Sequence, residues 1–203
     1  MFRFLRRDPS PDPPADPPLL LEPGPLVDRD LTLVEPSADL TPSYRQGAVT
    51  MESAAVDAVP ELSWMLDHVP LARQRLDPRR SGCTGVYRFW MRLPDHTVAG
   101  TISLRLGRSR ELERYLGHVG YNVFPFARGR HLAERATRLL LPLARQEGLD
   151  PIWITTNPEN VASRRTLERL GAAYVGTVVL PREHPLRTFG DTHKRRYRLS
   201  IDP

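Results

Sequence analysis

Gly120-Tyr-Asn-Val-Phe-Pro-Phe-Ala-Arg-Gly-Arg-His-Leu-Ala-Glu134 decides the fold of this chain, and Asn157-Pro-Glu-Asn-Val-Ala-Ser-Arg-Arg-Thr-Leu-Glu-Arg-Leu-Gly171 completes the reading. The first stretch is a strand end that passes through Pro125 into Arg128-Gly129-Arg130-His131-Leu132-Ala133, which opens a strongly helical run. Strand, Gly-containing turn and helix start, in that order, make a place for a pyrophosphate. The first-turn N–H groups have no helical acceptor, and the positive end of the helix dipole points the same way. Taken alone, a Gly-Arg turn that only caps a helix reads identically. The second stretch adds Asn160-x-x-Ser163 behind a strand ending at Asn157, with Asn160 suited to cap the helix that Gly171 stops.

Outward from these stretches the elements alternate. Leu31 to Val34 reads as a strand, and Pro36-Ser37 opens a mostly helical stretch to about Ala58. Pro60 and Glu61 start a second helix, with Leu62, Met65, Leu66 and Val69 at helical spacing. Val86–Leu93 and Val98–Leu106 form two strands around a Pro94-Asp95 turn, and a polar loop with Arg108, Arg110, Glu111 and Glu113 leads to a strand over Gly117–Phe124. The helix from His131 to Glu147 gathers Leu132, Ala136, Leu139, Leu140 and Leu143 on one face and stops at Gly148. Pro142 inside it should cost a hydrogen bond and bend it. Pro151–Thr156 is a short buried strand, Val161–Leu170 a helix, and Tyr174–Leu180 with Arg195–Ile201 close the sheet. The pattern predicts an α/β fold: a mixed, mostly antiparallel sheet of about six to seven strands with helices on both faces.

A chain of 203 residues suffices for one such domain over 26–203. Residues 1–25, with Pro-Ser-Pro-Asp-Pro-Pro-Ala-Asp-Pro-Pro near their centre, read as a disordered, partly polyproline tail. Met1 to Arg7 lacks the apolar run of a secretory signal, no segment approaches a membrane span, and Cys83 stands alone, so a cytoplasmic protein without disulfides is expected. Of 29 basic residues only Lys194 is a lysine. Arginine for lysine throughout, with 21 prolines, reads as a coding bias, which weakens the net charge of +5 as a functional clue. No basic run interleaved with aromatics, no helix-turn-helix spacing and no metal-ligand pattern is present, so neither nucleic acid nor a metal is indicated.

The two quoted stretches together resemble the GNAT superfamily of N-acetyltransferases, over roughly Leu26 to Ile201. The family's phosphate loop is Arg/Gln-x-x-Gly-x-Gly/Ala. Arg128 matches its first position and Ala133 its last, while His131 stands where the family has its first glycine. The resemblance implies the GNAT fold and acetyl-CoA as donor, with the pyrophosphate on the amides of Arg128, Gly129, Arg130, His131, Leu132 and Ala133. It also implies that pantetheine runs beside Asn122, Val123 and Phe124, with an N–H near Val123 or Phe124 polarising the thioester. Asn157 and Asn160 are implied on the far side of that arm, and Ser163 of the second motif among the cofactor-binding residues.

His118 occupies the strand position where many members carry a glutamate base. It reads either as that base or as a strand histidine satisfied by a neighbour. The family's tyrosine acid is replaced by Leu167, a likeness to the branch that acetylates ribosomal-protein N-termini. Tyr121, Tyr174 and Tyr197 are the candidate substitutes, Tyr121 first among them, and solvent could also protonate the thiolate. The implied reaction is direct attack in a ternary complex by a primary amine, of a small molecule or a protein N-terminus, bound by the first two helices and the Pro181–His193 connection. A homodimer is compatible with all of this. The alternative function is a non-catalytic acyl-CoA sensor, or a nucleic-acid adaptor, of the same fold.

Overall fold

The structure is a computed structural model that describes residues 20–51, 73–76, 79 and 82–201. Its elements run β1 (Val27–Asp28), β2 (Leu31–Val34), α1 (Thr41–Ala48), β3 (Arg73–Arg75), β4 (Gly85–Arg92), β5 (Val98–Leu106), β6 (Val119–Val123), α2 (Leu132–Gln146), β7 (Ile152–Thr156), α3 (Val161–Arg169), β8 (Ala173–Val179) and β9 (His193–Leu199). They form two sheets: β1-β2-β4-β5-β6 with β3 on the outer part of β4, and β7-β9-β8. Every pairing within them is antiparallel.

Alternation along β5 sets the two faces of the larger sheet. Ile102, Leu104 and Leu106 are buried on one side, while Thr101, Ser103 and Arg105 point to the other. Register carries the alternation across to β6, where Ile102 lies opposite Tyr121 and Leu104 opposite Val119. The apolar side meets α2, whose Leu132, Ala136, Leu140, Leu143 and Ala144 form the stripe the sequence predicts. Each fully buried leucine contributes about 1.5–3 kcal/mol to that contact. The opposite face carries a second, smaller core in which Leu40, just before α1, and Ala48, its last residue, pack on Trp90, Val98 and Phe124. Gly47 lets α1 approach this closely, since a Cβ there would fall 2.1 Å from the Phe124 ring.

Several expectations change in detail. The helix begun near Ser37 is confined to Thr41–Ala48, and the part drawn to Ala58 and the helix from Pro60 lie outside the described residues. The loop through Arg108 to Glu113 contains a π-type turn, Leu112–Leu116. α2 continues through Pro142, an exposed residue inside it. Of the tail assigned to 1–25, residues 1–19 lie outside the described residues, but Leu20 is in the main core, only 7% exposed. The Tyr87 hydroxyl, which donates to the Glu147 carboxylate, also lies 3.2 Å from Leu21 O, and Leu21 N–H reaches the same carboxylate at 3.4 Å, so the chain is fastened well before Pro25.

Candidate active site

The predicted phosphate turn forms as a run of alternating backbone signs. Arg128 is extended, Gly129 has φ +83° and His131 φ +55°, after which α2 begins. His131 therefore occupies the left-handed region that normally selects glycine, which explains why glycine is the commoner residue there. No side chain caps α2, and the first helical bond is Arg135 N–H to His131 O at 3.1 Å, so the amides before it have no acceptor in the helix.

Ion pairs hold the turn from behind. Arg130 reaches Asp30 at 2.7 Å, and Arg135 reaches Asp28 at 2.6 Å and Asp30 at 2.7 Å. The Arg135 guanidinium, with Arg130 in support, keeps the Asp30 carboxyl below its ordinary pKa.

In front of the turn lies a cavity of about 520 Å³. Its walls are Arg128, Gly129, His131, Leu132 and Ala133 on one side and the β6 residues Tyr121 to Val123 on another. The N-terminal part of α3 supplies the third wall, through Asn160, Ser163, Arg165, Thr166 and Arg169. The Asn160 side chain accepts from Ser163 N–H at 2.9 Å and caps α3.

β6 and β7 stand beside each other without a ladder and are joined at one end only. Gly117, at φ +73°, packs so closely on β7 that a Cβ would meet Thr155 N at 2.9 Å. At the next residue, His118 N–H donates to Trp153 O at 2.6 Å and its Nδ1 accepts from Trp153 N–H at 2.8 Å. With Nδ1 accepting, Nε2 carries the proton and donates to Gly107 O at 3.0 Å. The ring is 1% exposed, and burial holds its pKa below the usual histidine range. His118 thus has no lone pair left for a substrate proton. The reading of it as general base does not fit these bonds, and the reading as a strand histidine satisfied by its neighbours does.

Beyond this vertex the strands part. Phe124 N–H bonds Ala99 O at 2.9 Å, and Arg105 N–H bonds His118 O at 2.7 Å. Ladder alternation then turns the amides of Tyr121 and Val123 away from β5, toward the gap.

A second cavity of about 250 Å³ opens on the other side of the gap, between β6, β7 and β9. Tyr121, Asn160 and Ser163 line both cavities, and the Tyr121 hydroxyl bonds Ser163 Oγ at 2.8 Å across the junction. Burial raises the Tyr121 pKa, with Ser163 and Thr166 opposing, so the phenol keeps its proton at neutral pH. In the smaller cavity, Lys194 Nζ lies 2.5 Å from both Asn157 Oδ1 and Asp191 Oδ2, and the Asn157 amide donates to the Asp191 carboxylate.

Most of the sequence-derived site residues converge. Asn122, Val123, Arg128, Gly129, His131, Leu132, Ala133, Asn160 and Ser163 share the larger cavity. Three expected there do not. The Arg130 side chain turns back to Asp30, so that residue could offer only the backbone amide expected of it, Phe124 is 2% exposed in the α1 core with its N–H already bonded, and Asn157 faces the smaller cavity with its amide spent on Lys194 and Asp191. Among the other tyrosines, Tyr197 is buried outside both cavities and Tyr174 bonds Thr177 at 2.9 Å. Arg165, Thr166 and Arg169 were missed, although their spacing on α3 puts them on the face that starts at Ala162. Arg105 and Lys194 were also missed, and the single lysine of an arginine-rich chain was their one signal. Among the described residues no group of His, Cys, Asp or Glu could hold a metal ion, and no helix is long and apolar enough to cross a membrane.

Residues 31–173 match the family model of the acetyltransferase (GNAT) domain. Among solved structures, the fold resembles the microcin C7 self-immunity acetyltransferase in complex with acetyl-CoA and AMP, at 13% identity and TM-score 0.57, covering 85% of this chain and 93% of that one. It also resembles a ribosomal L7/L12 α-N-protein acetyltransferase in complex with coenzyme A, at 14% identity and TM-score 0.60, covering 88% and 99%. A third likeness is to the Salmonella typhimurium acetyltransferase that modifies the N-terminal serine of L7/L12, at 14% identity and TM-score 0.58, covering 86% and 97%. A search of curated proteins gave no significant match.

Proposed function

Because the chain belongs to the GNAT acetyltransferase family, we propose that it moves an acetyl group from acetyl-CoA to a primary amine of a small molecule or a protein N-terminus, by direct attack in a ternary complex. The observation that carries this reading is the junction of two cavities at Tyr121, Asn160 and Ser163, one walled by the phosphate turn and the other open to an acceptor. The pyrophosphate binds the turn's free amides at the positive end of α2, and Arg128, Arg165 and Arg169 supply charge around the same cavity. The Val123 N–H, turned into the gap, receives the carbonyl oxygen as it gains charge.

The amine nitrogen attacks the carbonyl carbon, the carbon–sulfur bond breaks, and the sulfur departs beside the Tyr121–Ser163 pair. Tyr121 stays protonated and so donates a hydrogen bond to the leaving thiolate, which is a weak enough base to depart with that support. The amine's proton passes to water in the open acceptor cavity. His118 serves as the peg that fixes the vertex of the gap.

Tyr121→Phe tests the reading. CoA affinity should hold while kcat for thiol release falls about 10–100-fold. An unchanged kcat removes Tyr121 from the mechanism.

A second reading, an acyl-CoA-binding sensor without turnover, draws on one observation: among the described residues no carboxylate and no histidine lines the acceptor cavity. Tight CoA binding with no thiol release across an amine panel decides for the sensor.

A further inference from the structure

The smaller cavity carries an unbalanced charge. Two cations reach its wall, Arg105 from β5 and Lys194 from β9, and among the described residues no carboxylate lines it. Lys194 is matched by Asp191 at 2.5 Å. Arg105 is not: among the described residues its guanidinium bonds only the Gly117 carbonyl, at 3.3 Å, a long contact for a charged donor. Burial lowers the Arg105 pKa, with Cys83 raising it and Arg88 lowering it by less, as befits a cation short of counter-charge.

Gly120 opens this group to the cavity. An ideal Cβ there would sit 3.0 Å from Arg105 Nη1 and 3.2 Å from Nη2, so any side chain at 120 would press on the guanidinium. Its φ is unremarkable, so space rather than backbone conformation is what the glycine provides. Gly120 immediately precedes Tyr121, at the junction with the donor cavity. A volume of about 250 Å³ suits a compact molecule.

We propose that the acceptor is a small primary amine bearing a carboxylate, an amino acid or a near relative, with its carboxylate held by Arg105 across Gly120 and its amine turned toward Tyr121 and Ser163. The proposal rests on the acetyltransferase reading and narrows its substrate class. A guanidinium can grip a carboxylate through two parallel bonds, and a site built around such a pair discriminates against a neutral analogue, because that analogue leaves the charge buried and unpaired.

The test titrates the CoA-saturated protein by calorimetry with the common free α-amino acids and with their carboxamides, and follows thiol release from acetyl-CoA in the same series. At least one amino acid should bind, with its carboxamide about 100-fold weaker. Arg105→Gln should erase that difference, Arg105→Lys should keep part of it, and Gly120→Ala should weaken the acid but not the amide, all with CoA affinity unchanged. Arg105→Gln should melt close to the parent, since a half-buried cation with no carboxylate partner among the described residues and one long bond to the Gly117 carbonyl adds little to the fold.

Carboxamides that bind as well as acids, a preference that survives Arg105→Gln, or no amino acid bound up to about 10 mM would overturn the proposal. Amino acids bound through Arg105 without thiol release would leave the anion site standing and sink the transferase reading. Thiol release only with peptides that begin in neutral residues would uphold the transferase and overturn the carboxylate acceptor.

Discussion

Replacing His118 by alanine separates a peg from a base. The substitution strips the acceptor from Trp153 N–H (2.8 Å) and the donor from Gly107 O (3.0 Å) at a site 1% exposed. A buried backbone group left unpaired costs about 1–3 kcal/mol, and the vacated ring adds a cavity term, so the loss should total about 3–5 kcal/mol. In a chain of this size that lowers Tm by roughly 6–20 °C. His118→Asn, whose amide oxygen can still accept from Trp153, should recover part of the loss. His118→Glu should recover none, because an ionised carboxylate would face the Gly107 carbonyl.

The pH dependence follows from the lowered pKa. The unfolded chain then binds the proton more readily, so the stabilisation is complete above the unfolded value of about 6.5 and is lost as pH falls from there through the folded pKa. Denaturant melts of parent and His118→Ala between pH 4 and 8 should show that slope in the parent only. The assay pairs these melts with thiol release at a temperature where both proteins are folded. A variant as stable as the parent whose kcat/KM falls about 10²-fold or more would refute the peg and restore the base.

Three further outcomes are expected. His131→Gly relieves a left-handed non-glycine residue, so it should raise stability by about 1 kcal/mol with CoA affinity kept, and a lowered Tm would contradict the assigned backbone. A Cβ at Gly129 would meet no neighbour within 4 Å but must hold φ +83°, so Gly129→Val should weaken CoA by about 1–3 kcal/mol in calorimetry through the turn's backbone, and unchanged affinity in the folded variant would remove the turn from the CoA site. Removing residues 1–19 should leave Tm nearly unchanged, whereas removing 1–25 should cost roughly 2–3 kcal/mol of stability through the buried Leu20 side chain and so lower Tm by about 4–12 °C; equal melting of the two truncations would argue against that contact.

The parts legible in the sequence were those with a long period or a forced turn. Leucines at helical spacing gave α2 to within a residue of its ends, and Pro94-Asp95 placed the β4–β5 hairpin. β3 escaped because Arg73-Gln-Arg75 has no apolar alternation to detect, and β1 because two residues carry no period. In the site, contiguous residues were readable while partners from separate strands were not. The turn at Arg128–Ala133 is one stretch of chain, but Arg105 and Lys194 meet only when β5 and β9 come to either side of the gap. The pairing of Asn157 was unreadable for the same reason: its partners, Asp191 and Lys194, lie across the β8–β9 connection. At His118 the sequence allowed two roles, and the choice lay in Gly107 and Trp153, neither of which looks polar as a side chain.

The shared wall at Tyr121, Asn160 and Ser163 has a bearing on acyl length. In the proposed ternary complex an acetyl group would end at that wall, and every further methylene would have to grow past Tyr121 into the 250 Å³ that the amine would also need. Donor chain and acceptor bulk then draw on one volume, and lengthening either shortens what the other can be. Enlarging the acceptor side, for instance by trimming Leu186 on its wall, would loosen both limits together, so tolerance for longer acyl donors and for bulkier amines should rise as a single linked trait.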